Sequence, residues 1–434
     1  MHLVSGYQLA PRWRISVEAL LVPAIILVAL FFYSTEFLEL VLRAINLGAV
    51  TQILFLGTYA LFLVLTLRRW PMVARASVRV PTMIALIALV PISTLWSVNP
   101  SETVERSVAL VGSTLAAIYM GSTLSIRQIV LLFGLAVTAA AIGSLVFAVA
   151  IPSLGVTPHS EAAWGGTWRG LYLHKNGLGA AMAFAALVCL IARAQAAGLT
   201  KTILTVGLLV SLFMLFKSES RTSQGLFLVC AAIAVLGMLD RRALQVWAVS
   251  LVGFGLIGFA GLYILLATGI IEEILTSLGR DITLSNRIPI WTYTWDKFIS
   301  KAFFLGWGYE AFWDKDTLRL RIFDSLLNFM PAYSHNGVLE VWLGLGVVGV
   351  SLLGLTILAY MRSAAIYIVR FPDDPNIVAI TTLFVFVLLS NFMEGQFLAR
   401  NNAIWILYVT LLIAVTRFAY QQRVRGPTER NGHA

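Results

Sequence analysis

The stretch "PRWRISVEALLVPAIILVALFFY", residues 11–33, decides the fold class of this chain. Two arginines precede an apolar run that is long enough to cross the roughly 30 Å hydrocarbon core of a bilayer as a helix. No small-residue cleavage site follows the run, so we interpret it as a retained first membrane span rather than a signal peptide.

The rest of the chain repeats this pattern. It has 434 residues, of which 59% are hydrophobic and 12% charged, with a mean hydropathy of +0.86, whereas soluble domains carry about 25% charged residues. The sequence lacks the alternating ten-residue segments of a transmembrane β-barrel, so we predict an all-α polytopic membrane protein. The apolar runs indicate about twelve transmembrane helices, at 16–33, 46–67, 80–96, 107–123, 129–150, 176–192, 202–216, 224–239, 245–267, 337–360, 377–393 and 403–418.

The basic residues indicate the orientation of these spans. Of the 31 Lys and Arg residues, 17 fall on the side that contains both termini, and seven fall in short loops on the opposite side. The positive-inside rule therefore predicts cytoplasmic termini. We divide the chain into spans 1–9 (1–267), a large periplasmic loop with surface helices (268–334), spans 10–12 (335–418) and a cytoplasmic tail (419–434). The net charge of +10 follows largely from this topology, so no nucleic-acid partner is predicted.

Several basic residues stand on the outer side, against the topological trend. Those in polar stretches beside span ends are Arg169, Lys175, Lys217, Arg221 and Arg400, and Arg287 lies in the long loop. Arginine binds phosphate oxygens in a bidentate manner, and helix N-termini add backbone N–H groups, so this set predicts an anion site. The alternative is that these side chains snorkel or pair with acidic neighbours such as Glu219. We interpret Arg43 and Arg106 as ordinary solvent or lipid-headgroup contacts.

The stretch "PAYSHNGVLEVWLGLG", residues 331–346, places His335 and Asn336 at the start of a span. Asn336 is expected to cap the helix, and a neutral His335 could act as a general base. Glu340, one turn further on, either orients the histidine, pairs with an arginine or contacts solvent. His174, beside Lys175, is a second histidine that could line the same pocket.

Acidic residues could instead hold a metal, as "DKD" at 314–316 or Glu36 and Glu39 in the first outer loop. Nothing in the sequence groups them with histidine or cysteine into a metal-ligating pattern. Cys189 and Cys230 both lie in apolar runs, which is typical of buried thiols. We therefore predict neither a metal nor another cofactor.

An ordered set of motifs resembles the O-antigen ligase family, which belongs to a superfamily shared with O-antigen polymerases. The motifs are "STLWSVNP" (93–100), "RGLYLHKNGLG" (169–179), "SESRTSQ" (218–224), "LSNRIPIW" (284–291), "LGWGYEAFW" (305–313) and "SHNGVLEVWLGLGVVG" (334–349). The resemblance implies a GT-C-like membrane glycosyltransferase of lipopolysaccharide biosynthesis in the bacterial inner membrane, with its active site facing the periplasm. It implies inverting, metal-independent transfer of a glycan from undecaprenyl diphosphate to a sugar hydroxyl of the lipid A core.

The resemblance also implies roles for individual residues. His335 matches the family's essential histidine, and Arg221, Arg287 and Arg169 match its diphosphate-binding arginines. Asn336, His174, Lys175, Lys217 and Glu340 are possible supporting residues, and Arg400 joins them on topology alone.

Three other functions stay open from the sequence. The nearest is an O-antigen polymerase, whose acceptor is a second carrier-linked glycan. A protein O-oligosaccharyltransferase is less favoured because the chain has little room for an additional C-terminal region. A flippase for lipid-linked oligosaccharides would need charged residues near mid-membrane, and most of the predicted spans have none.

Overall fold

The computed structural model describes residues 17–44, 48–158, 165–242, 287–313, 333–392 and 394–424. These residues are almost wholly helical, and their β-structure amounts to one isolated bridge between Val156 and Trp168. The α-helices are α1 Val17–Tyr33, α2 Phe37–Ala44, α3 Gly48–Arg68, α4 Trp70–Ser77, α5 Pro81–Ile92, α6 Pro100–Thr123, α7 Ile126–Ala150, α8 Pro152–Gly155, α9 Lys175–Ala194, α10 Gly198–Lys217, α11 Arg221–Leu239, α12 Arg287–Lys297, α13 Gly337–Arg370, α14 Asn376–Ser390 and α15 Ala403–Val424. Short 3₁₀ turns follow α5 at Ser93–Trp96 and α12 at Ile299–Lys301.

Seven helices in the described part are long and apolar enough to cross a membrane, which identifies a multi-pass membrane protein. An eighth is obtained if Trp70–Ser77 and Pro81–Trp96, which meet at an angle of 99°, form one broken span. Eleven of the twelve predicted spans coincide with helices. The remaining one, 245–267, lies outside the described residues, as does the "DKD" of 314–316.

Helix starts follow the capping residues of the sequence. Asn99 caps α6 ahead of Pro100, and Ser125 forms a capping box with Gln128 at the start of α7. These side chains satisfy backbone N–H groups that have no partner in the first helical turn. The predicted cap Asn336 is confirmed, since its Oδ1 accepts the N–H groups of Val338 and Leu339 at 3.0 and 3.1 Å.

Helix α13 is broken near the site, at Gly346, whose φ of 63° lies in the left-handed region. The carbonyls of Leu343 and Gly344 accept the N–H groups of Trp307 and Gly308, at 2.7 and 3.0 Å. A Cβ on Gly346 would lie 2.2 Å from the backbone of Phe304, so the approach requires glycine. Through these bonds, the backbone of Trp307 and Gly308 packs against the first half of α13, just before the motif residues "YEAFW" (309–313).

Candidate active site

A cavity of about 1030 Å³ lies where the ends of several helices meet. Its wall is formed by the segment after α1, the first turns of α3, α6, α9 and α13, the segment 309–313 and the loop between α14 and α15. The wall combines seven carboxylates with two arginines and many aromatic rings. The charged residues are Glu36, Glu39, Glu102, Glu105, Glu310, Glu340, Glu394, Arg106 and Arg400, and the aromatic ones include Tyr33, Tyr59, Tyr309, Trp313 and Tyr333.

His335 lies beside this wall, in contact with two residues that line it. Its Nδ1 is 3.1 Å from Oε2 of Glu394, and its ring centroid is 4.1 Å from that of Tyr333. The hydroxyl of Tyr333 donates to the same Oε2 of Glu394, at 2.7 Å. The histidine side chain is 27% exposed and the glutamate 14%, so the pair is sheltered but reachable.

The turn that carries His335 is held on both sides. His335 has a φ of 56°, a left-handed conformation that non-glycine residues rarely adopt. The preceding residue, Ser334, donates its N–H to Glu340, and its carbonyl accepts the Nε1–H of Trp291 at 2.7 Å. Glu340 also accepts the Nε1–H of Trp313, at 2.9 and 3.1 Å to its two oxygens. Glu340 therefore holds the backbone of Ser334, the residue before the histidine, and so helps to orient His335.

Glu394 is held by a second turn, the loop 391–402 between α14 and α15. Oδ1 of Asn391 accepts the N–H groups of Gln396 and Phe397 at 3.0 and 2.7 Å. The backbone carbonyl of Asn391 accepts the N–H of Gly337, the first residue of α13, at 2.8 Å. A Cβ on Gly337 would lie 2.0 Å from Oδ1 of Asn391, so this close approach also depends on glycine. The backbones that carry His335 and Glu394 are therefore tied together directly.

The two arginines in the cavity wall share a carboxylate. Nε of Arg400 lies 3.0 Å from Oε2 of Glu310, and Nε of Arg106 lies 3.8 Å from the same oxygen. Arg106 also pairs with Glu102, at 2.7 Å, and donates to the backbone carbonyl of Glu310. The carboxylate of Glu310 raises the pKa of Arg400, which stays charged. Arg106, interpreted from the sequence as an ordinary surface contact, instead belongs to the cavity wall.

Four of the other predicted cations, Arg169, Lys175, Lys217 and Arg221, do not line the cavity. Arg221 is the first residue of α11 and its side chain is exposed. Nε of Arg169 donates to the carbonyl of Leu154, at 2.9 Å, and the ammonium of Lys217 lies 5.3 Å from the ring centroid of Trp168. Arg287 is the first residue of α12.

Helix α9 stands between the cavity and the turn before Arg221. Gly177, Ala180 and Ala181 line the cavity, whereas a Cβ on Gly179 would lie 2.5 Å from Cβ of Ser220. At the start of this helix, Nδ1 of His174 accepts the N–H of Asn176 at 3.2 Å, so His174 acts as a helix cap. Lys175 is the first residue of the helix.

Glu36 connects the first outer segment to this region. Its Oε2 accepts the N–H of Leu173 at 2.6 Å. Although the side chain faces the cavity, the surrounding protein displaces bulk water, and this desolvation with the nearby Glu39 and Glu394 raises its pKa. Among the described residues no group of three or more His, Cys, Asp or Glu residues has the arrangement of a metal site.

Glu394 and Glu310 are site residues to which the sequence analysis gave no role, although Glu310 lies within the quoted motif "LGWGYEAFW". Each is an isolated acidic residue in an outer segment, and neither has a spacing that links it to His335 or to an arginine. Their significance depends on contacts between residues 59 and 90 positions apart. The sequence signal that could have drawn attention to Glu394 is a single carboxylate immediately after an apolar span.

Comparison with known families matches residues 206–354 to the family described as O-antigen ligase. The matched range contains α11, α12 and the first half of α13, and hence Arg221, Arg287 and His335. A search of curated proteins found no matching relative.

Proposed function

We propose that the chain is a member of the O-antigen ligase and polymerase superfamily, which the match over residues 206–354 supports, and that it acts as an O-antigen ligase. In this proposal the donor is a glycan on undecaprenyl diphosphate and the acceptor is a sugar hydroxyl of the lipid A core. The reaction takes place on the periplasmic side of the bacterial inner membrane, with both chain termini in the cytoplasm. The contact between His335 and Glu394 beside a large polar cavity is the observation that carries the proposal.

His335 is the general base. The acceptor oxygen attacks C1 of the donor sugar from the face opposite the diphosphate, and the bond from C1 to the diphosphate oxygen breaks with inversion. The hydroxyl proton passes to Nε2 of His335, since Nδ1 faces Glu394. A base of this kind typically contributes about 10²–10⁴-fold to the rate.

Arg221 and Arg287, with Arg169, are proposed to bind the leaving diphosphate. Arg221 and Arg287 each occupy the first position of a helix, where unpaired backbone N–H groups favour an anion. Preorganised cations stabilise the charge that develops on the diphosphate, so this chemistry proceeds without a metal. One Arg169 nitrogen already donates to Leu154, so its contribution is expected to be smaller than that of the other two.

The cavity wall suits the sugar part of the substrates better than the diphosphate. Its seven carboxylates outnumber its two arginines, and carboxylates accept hydrogen bonds from hydroxyl groups but repel phosphate. The aromatic side chains provide apolar contact area of the kind that fixes a ligand in a cleft. We therefore assign the cavity to carbohydrate and membrane lipid, and the exposed arginine turn to phosphate.

The test is purified protein in nanodiscs, supplied with an undecaprenyl-diphosphate glycan and either lipid A core or a second carrier-linked glycan. Glycan attachment to lipid A core supports the ligase, whereas chain extension on the carrier supports an O-antigen polymerase. Movement of the donor across the bilayer without transfer would support a flippase and contradict the proposal.

The variant His335→Ala should lose roughly 10²–10⁴-fold in transfer rate while keeping the wild-type melting temperature. Transfer at the wild-type rate by this variant would remove the assignment of the base. Loss of transfer on adding EDTA, with recovery on adding Mg²⁺ or Mn²⁺, would contradict the metal-free mechanism.

A further inference from the structure

Resting on the proposed function, we propose that Glu394 is the positioning residue of the reaction: its carboxylate orients the His335 ring and stabilises the imidazolium that forms during transfer.

The first support is geometric. Nδ1 of His335 and the hydroxyl of Tyr333 both meet Oε2 of Glu394, at 3.1 and 2.7 Å. The rings of Tyr333 and His335 are in contact, with centroids 4.1 Å apart. The imidazole is therefore fixed at one nitrogen by the carboxylate and across one ring face by the tyrosine.

The second support is the chemistry that follows from this contact. A neutral imidazole carries one proton, and a carboxylate acceptor at Nδ1 holds the proton there. Nε2 then has a free lone pair with which to accept the hydroxyl proton. When it does so, the ring becomes a cation 3.1 Å from a carboxylate, and this contact stabilises it. In this step Glu394 acts through its contact with Nδ1 and takes no proton from the acceptor.

The third support is that the backbone of Glu394 is held by hydrogen bonds that do not involve the His335 side chain. Its N–H donates to the carbonyl of Ser390 at 2.9 Å. The loop that follows is closed by Asn391, which also binds the N–H of Gly337. The backbone that carries the carboxylate therefore has hydrogen bonds of its own within the loop, as expected of a group that orients a catalytic side chain.

Other charged groups surround this pair. Glu36 faces Glu394 from the segment after α1, and Tyr333 contacts it from the turn of the histidine. Glu340 projects from the first turn of α13, where it is bonded to Ser334 and Trp313, and Arg400 in the same loop as Glu394 is paired with Glu310. Burial, together with the charges of Glu39 and Glu394, raises the pKa of Glu36, so this carboxyl adds less negative charge than an ordinary one.

The experiment compares Glu394→Gln and Glu394→Ala with the wild type and with Asp296→Asn, which alters an exposed carboxylate on α12. Transfer from the undecaprenyl-diphosphate glycan to lipid A core is measured for kcat, KM and pH dependence. Glu394→Gln retains an oxygen that can accept the Nδ1 proton, so kcat should fall roughly tenfold, and Glu394→Ala should lose roughly a hundredfold.

The pH dependence separates positioning from a purely structural role. A general base must be unprotonated to act, so the transfer rate should fall at low pH. Without the carboxylate the imidazolium is less stable, so the acid limb of both variants should move to lower pH. The KM values and melting temperatures should stay close to those of the wild type and of Asp296→Asn.

Wild-type kcat in both Glu394 variants would overturn the inference. So would a loss of kcat with an unmoved acid limb, or a loss that follows a lowered melting temperature. His335→Ala distinguishes this failure from failure of the proposed function. If His335→Ala is inactive while the Glu394 variants are normal, the positioning role alone is wrong. If His335→Ala is active, the general base itself is wrong.

Discussion

The turn of His335 and the turn of Arg221 differ in how their polar groups are used. Around His335, the backbone of Ser334 is bonded on both sides and the ring contacts Glu394 and Tyr333. In the second turn, the serines hold the backbone: Ser218 Oγ donates to Leu215, and Ser220 Oγ lies 2.9 Å from Ser223 Oγ.

The arginine at the end of that second turn is exposed, and no ion pair within the described ranges includes it. A proton-transfer group needs a fixed position and a fixed tautomer. A phosphate-binding group needs a charge that is still available to the ligand. The difference between the two turns matches these two requirements. It can be tested by substitutions in the turn of Arg221 and in the turn of His335.

After the changes at His335 and Glu394 described above, the largest effect is expected from Arg221→Ala. If Arg221 binds the diphosphate, kcat/KM should fall roughly tenfold to a hundredfold, because a hydrogen bond to a charged group contributes about 1.5–3 kcal/mol. Arg221→Lys should recover part of this loss, since it keeps the charge but not the planar fork. The melting temperature should not change, because the side chain is exposed.

Donor affinity, measured with undecaprenyl diphosphate in nanodiscs, checks this prediction. Unchanged affinity and rate in both Arg221 variants would remove the phosphate site from this turn.

An intermediate effect is expected from Gly337→Ala. Unlike the Arg221 change, it should lower stability and kcat rather than donor affinity. The added Cβ would lie 2.0 Å from Oδ1 of Asn391, so the loop that carries Glu394 must shift. Overpacking of this kind destabilises a protein by about 1–3 kcal/mol. We expect a lower melting temperature and a lower kcat, with donor affinity unchanged.

The matched control is Gly354→Ala in the same helix, where nothing lies within 4 Å of the new Cβ. That change should be neutral or slightly stabilising, because alanine is the better helix former. Equal effects of the two substitutions would mean that the histidine turn is not held by the Gly337–Asn391 contact.

The smallest effect is expected from Glu36→Gln. The pKa of Glu36 is raised, so the folded state binds its proton more tightly than the unfolded state. Stability is then lost as pH rises from the ordinary carboxyl pKa through the raised one. A neutral glutamine avoids this loss and can still accept the Leu173 N–H, so the variant should melt slightly higher than the wild type at pH 7.5.

The difference should vanish towards pH 4, where the wild-type carboxyl is protonated as well. Melting curves at the two pH values measure it, with the exposed Glu219→Gln as the control. A gain that persists at pH 4 would point to a cause other than ionisation.

Sequence patterns predicted the membrane class, most helix positions and the chemistry of several site residues. The apolar runs suffice for the helices because a backbone in hydrocarbon must satisfy its hydrogen bonds within one segment. The cap at Asn336 was likewise predictable, since its bonds reach residues two and three positions away. Residues 243–286 and 314–332, which include one predicted span and more than half of the predicted long loop 268–334, lie outside the described part.

What the sequence by itself determined is therefore local: a helical membrane protein with a capped helix start beside His335 and cations near the ends of predicted spans. What the tertiary structure alone decided is which of these groups share a site. In the structure, His335 contacts Glu394, and Glu340 accepts the backbone N–H of Ser334. Arg106 and Arg400 both lie beside the carboxylate of Glu310. These contacts join residues far apart in the chain, and their distances depend on how helices and loops pack, which no local pattern encodes.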